Sequence, residues 1–126
     1  MVNIGKQIEY WKSSADSNIE TAEILLTNGK FIEALFFCHL AIEKSLKACY
    51  VKYNNELAPK IHKLQYLAES SGVELNEGQK DFFGVLMQYQ IEGRYPETYP
   101  PYPMEQDAIK LLNETKQTLQ WLMKKL

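Results

Sequence analysis

Apolar residues recur along this chain at helical spacing and nowhere alternate as a half-buried strand requires. That regularity confines the fold to packed helices. Five segments carry it. In the first, Ile4, Ile8, Trp11, Ala15, Ile19, Ala22 and Leu26 make one stripe opposite Glu9, Asp16, Glu20 and Glu23, and Asn28-Gly29 forms a C-terminal cap. The second, from about Lys30 to Tyr53, is the most apolar. The third is short, Ile61 to about Ser70, set between Pro59 and Gly72. The fourth runs from Asn76, where Gln79 completes an N-capping box, to Gly93, with Phe82, Val85, Leu86 and Tyr89 as its stripe. The fifth begins after Pro103. It carries Glu105 and Asp107 in its first turn and Lys124 and Lys125 in its last, as the helix dipole favours. Its buried side is Ala108, Leu111, Leu112, Thr115, Leu119, Leu122 and Leu126, and Trp121 falls off it, as an exposed or interface residue. Three helices of about 23 residues, each near 35 Å, with short turns between most elements, predict an all-α fold. The expected architecture is an up-and-down antiparallel bundle of four to five helices, forming one domain over residues 1–126.

Charge and cysteine usage narrow the function. A net charge of −2 argues against a protein that holds long nucleic acid by charge neutralisation, but leaves room for a local basic pocket. No apolar run approaches membrane-spanning length, and Met1–Lys12 lacks the apolar core of a signal peptide. Cys38 and Cys49 share one predicted helix about 16 Å apart along its axis, too far to pair. They read as small apolar residues in a reducing compartment, so a cytoplasmic protein is expected.

The second helix has two apolar faces. Phe31, Ala34, Leu35, Cys38, Ala41, Ile42, Leu46, Cys49 and Tyr53 lie on one broad side. Phe36, Phe37, Leu40 and Val51 lie on the other, among Glu33, Glu43, Lys44 and Lys47. A monomeric amphipathic helix has no use for that second strip. It is expected to be a homodimer interface; cover by the short third helix is the competing explanation.

Chemistry-bearing residues are few. Histidines, cysteines and carboxylates stand in no metal-ligand spacing, and no phosphate-cradling glycine loop or serine nucleophile motif occurs. Neither a metal nor a cofactor is expected. His39, Glu43 and Lys47 follow at four-residue steps and read as a solvated helix edge with an i,i+4 pair. His62 follows Pro59-Lys60-Ile61 at a helix start, where a histidine either caps and packs or serves a site. Arg94 is the only arginine, against thirteen lysines. It sits where the fourth helix gives way to the tyrosine- and proline-rich Tyr95–Pro103. Its planar fork matches phosphate or carboxylate at two points, which lysine cannot do. Two readings stand for it: an anion-binding group, or an ion pair that pins the loop. Tyr95, Tyr99 and Tyr102 either stack a base or cover the bundle's end.

At these residues the chain resembles the HEPN domains (higher-eukaryote and prokaryote nucleotide-binding). The matching pieces are Trp11…Ala15…Ala22…Leu25-Leu26, then Phe31…Ala34…Phe37, then Ala41-Ile42-Glu43-Lys44-Ser45-Leu46-Lys47-Ala48. His62-Lys63-Leu64…Leu67 and Gly93-Arg94-Tyr95-Pro96 follow in order. The resemblance implies a dimerising bundle associated with nucleotides or RNA. Many bacterial members pair with a small nucleotidyltransferase in toxin–antitoxin or stress-defence settings. Many members are metal-independent ribonucleases that use an arginine and a histidine a few residues on. Here that histidine's place is taken by Tyr99, Pro100 or Pro101, and no histidine follows His62. The expected protein is therefore a non-catalytic nucleotide- or anion-binding homodimer, with Lys44, Lys47, His62, Arg94 and Tyr95 around the ligand and a nucleotidyltransferase-like partner. A divergent ribonuclease using His62 and Arg94 is the first alternative, and a structural dimerisation module the second.

Overall fold

A computed structural model describes residues 3–126. Five α-helices run Ile4–Thr27 (α1), Phe31–Asn54 (α2), Leu64–Ser70 (α3), Glu77–Met87 (α4) and Glu105–Met123 (α5), with a 3₁₀ turn at Pro96–Thr98. No strand occurs among the described residues. Local signals set most of the ends. The Asn3 side chain accepts from the Lys6 amide at 3.0 Å to open α1. Gly29, at φ +76°, turns the chain after Asn28, and only the absence of a Cβ makes that conformation cheap. Asn76 and Gln79 form the reciprocal capping box at 2.8 and 2.9 Å.

α2 is the axis of the bundle, in contact with each of the other four helices. The tight turn at residues 28–30 folds it back antiparallel along α1. It lies parallel to α5: Phe31 meets Tyr102 just before α5, and Lys52 donates to the carbonyls of Lys125 and Leu126 just after it. Leu35, Ile42, Leu46 and Leu122 have no exposed surface, and each side chain so buried stabilises the fold by roughly 2 kcal/mol. Cys38 and Cys49 are free and buried. Burial pushes their thiols up to about 12 and about 11.

Three expectations are corrected. Val51 is fully buried, so it cannot lie on a dimer face. Cover from within the chain accounts for that position. Trp121 packs against the core's edge with the Lys125 ammonium 4.5 Å above its ring. Finally, α4 stops at Met87 instead of reaching Gly93. The amides of Gln88, Tyr89 and Gln90 bond three residues back, to Val85, Leu86 and Met87, so the helix tightens and ends.

Candidate functional site

The four-residue steps of α2 bring His39, Glu43 and Lys47 onto one side, as their spacing requires. That side is not a solvated edge. His39 is 0% exposed, Glu43 2% and Lys47 6%. The sequence pattern misled because covering segments arrive from elsewhere in the chain: Trp11 of α1 lies 5.2 Å beneath the Lys47 ammonium, and His62 lies over Glu43. Glu43 is the hub. Its Oε2 is 3.1 Å from Lys47 Nζ, and both its oxygens are 3.1 Å from His62 Nδ1. A buried carboxylate is tolerable only with such partners. His39 Nε2 stands 4.0 Å from Glu43 Oε1, beyond hydrogen-bond reach, and neither ring nitrogen has a partner among the described residues. Burial lowers the His39 pKa, against the opposing pull of the Glu43 carboxylate. Its ring stacks on Phe36, 6.4 Å away.

His62 carries this buried network to the surface, its side chain 61% exposed. An ionised carboxylate can only accept, so Nδ1 donates to Glu43 and Nε2 is left for a ligand. Residues Lys60–Lys63 stay outside any helix, and α3 starts at Leu64 rather than Ile61. The reason is tertiary: Ile61 tucks against the core and His62 turns to Glu43. Lys60, Ile61, His62, Lys63 and Tyr66 then line a mainly apolar depression of about 470 Å³. Lys60, Lys63 and Tyr66 were not singled out from sequence. A Lys-Ile-His-Lys run was the available signal.

The remaining candidates point elsewhere. Lys44 donates to Ser14 Oγ of α1 at 2.7 Å, and burial lowers its pKa. The Arg94 fork is engaged by backbone: Nε donates to the Gln90 carbonyl (2.7 Å), Nη1 to Thr98 (2.8 Å) and Nη2 to Met87 (3.1 Å). It ties the frayed end of α4 to the 3₁₀ turn, and none of these bonds joins it to the Glu43 network. The expected ion pair is not formed: no carboxylate pairs with Arg94 among the described residues. Tyr95 stands 76% exposed, whereas Tyr102 reaches back to the Gly29 carbonyl at 2.6 Å. No group of histidines, cysteines and carboxylates among the described residues has the geometry to hold a metal ion. Nor is any described helix long and apolar enough to cross a membrane.

The HEPN domain family model matches residues 8–126, nearly the whole chain. The chain belongs to the HEPN family. The crystal structure of TT1696 from Thermus thermophilus has the same fold: TM-score 0.79 at 24% identity, over 95% of this chain and 98% of that one. No curated protein matches at a significant level. HEPN membership carries a nucleotide- or RNA-related role at the level of the family. In this HEPN domain, the expected dimer strip shrinks to Phe36, Phe37 and Leu40, all half-buried. Phe37 also packs on the core and meets Phe36 edge-on at 5.6 Å.

Proposed function

We propose that this HEPN protein binds the phosphate of a nucleotide or RNA without cleaving it, as a homodimer working with a nucleotidyltransferase-like partner. One observation carries the binding role. His62 is held through Nδ1 by a buried carboxylate at 3.1 Å, while its side chain stays largely exposed and lines one depression with Lys60 and Lys63. A ring fixed in this way presents a donor to an anion with little ordering cost on binding. Lys47 supports it from below by holding Glu43 in place. The state of Arg94 favours binding over cleavage. Three of its five N–H groups already serve carbonyls, so its fork is not held ready for a developing phosphorane charge.

Pyrophosphate and ADP titrations by calorimetry test the reading, alongside an RNA-cleavage assay on the same protein. Binding is expected in wild type and at least about tenfold weaker in His62→Ala, the loss of one charge-assisted hydrogen bond. Single-stranded RNA should survive as in buffer. Metal-independent cleavage abolished by both His62→Ala and Arg94→Ala would instead establish the divergent ribonuclease.

A further inference from the structure

We infer that the depression beside His62 is a nucleoside pocket, with Tyr66 as its stacking platform, and that it accepts the base without reading its identity. This inference rests on the phosphate-binding reading of His62 and adds the other half of the ligand. Tyr66 is half exposed on the first turn of α3, and Ile61, partly buried against the core, lines the depression with it. The volume of about 470 Å³ falls within the range of small-molecule sites, about 300–1,000 Å³. Lys60 and Lys63 are exposed at the rim, and neither is paired with a carboxylate among the described residues. Among the described residues, no acidic side chain lines the depression. A ligand that is anionic at one end and flat and apolar at the other complements this surface, and a nucleotide has that form. The walls offer almost no fixed donor or acceptor apart from the His62 ring, which the phosphate takes. Stacking on a tyrosine is open to every base, because each has a π-face. Discrimination by base edge needs placed polar groups, which this pocket lacks.

Calorimetry on the full chain at low salt tests it with pyrophosphate and the four nucleoside diphosphates. ADP should bind about 5- to 150-fold tighter than pyrophosphate, the measured worth of one stacked base. ADP and GDP should agree within about threefold, with the pyrimidines weaker by stacking strength alone. Tyr66→Ala should bring ADP down to the pyrophosphate level, and Tyr66→Phe should keep the wild-type value. If ADP binds no tighter than pyrophosphate, or Tyr66→Ala leaves its advantage intact, the pocket is overturned while the His62 phosphate site stands. A base preference above about tenfold between ADP and GDP overturns the claim of non-selectivity. If neither pyrophosphate nor ADP binds, both the pocket and the phosphate reading fall.

Discussion

Replacing Arg94 tests whether its fork belongs to the fold or to a ligand. Arg94→Met removes three hydrogen bonds at once, to the carbonyls of Met87, Gln90 and Thr98. A typical hydrogen bond contributes about 1 kcal/mol net, and more when a charge is involved. Arg94 is half-buried, so water replaces part of each loss and about 2 kcal/mol in total is expected. With an unfolding entropy of about 2.1 cal/mol/K per residue, 1 kcal/mol corresponds to about 4 °C for a chain this size. The melting temperature should therefore fall by about 8 °C without any ligand. Arg94→Lys should lose about half as much, since one ammonium cannot span three carbonyls set around a plane. Differential scanning calorimetry of the three proteins, with and without ADP, is the assay. A ligand-free melting temperature unchanged in both variants, with the ADP-induced shift abolished, would refute the reasoning. Arg94 would then be an anion-binding group.

Glu43→Ala leaves the Lys47 ammonium buried and unpaired. It should cost roughly 3 kcal/mol, and chemical denaturation showing under about 1 kcal/mol would mean that water reaches Lys47. His39 supplies a pH dependence. Its folded pKa lies below the ordinary value, so the unfolded chain takes up a proton first as pH drops. Its contribution is fully present above about pH 6.5 and is lost as pH falls through the folded pKa, by at most about 1.4 kcal/mol per pH unit. Besides burial, the facing groups are Glu43, which raises that pKa, His62, whose backbone raises it and whose ring charge lowers it, and Lys47, which lowers it. His39→Leu should flatten the denaturation midpoint between pH 6.5 and 5, and an unchanged slope would remove His39 as the cause. For assembly, light scattering should find a dimer at micromolar concentration and a monomer for Leu40→Glu. A monomeric wild type contradicts the proposed interface.

The bundle itself was legible because its determinants are local. Helical period, the Gly29 turn and the Asn76–Gln79 box depend on neighbours within one or two turns, and these elements lie where the residues place them. α3 and the end of α4 were misplaced because long-range bonds compete with helix there. His62 leaves the helical path for Glu43, nineteen residues away, and Arg94 gathers carbonyls on both sides of a turn. The site was hidden for a related reason. Charged residues at helical spacing look the same in water and in a core, and only the cover decides which they are. Glu43 and Lys47 could be buried because Trp11 and His62 close over them from α1 and from the segment before α3. The chain's own residues decide that α2 is a helix with His39, Glu43 and Lys47 in register. Tertiary packing alone makes that register a buried charge network, because removing a carboxylate from water is tolerable only where other elements bring its partners.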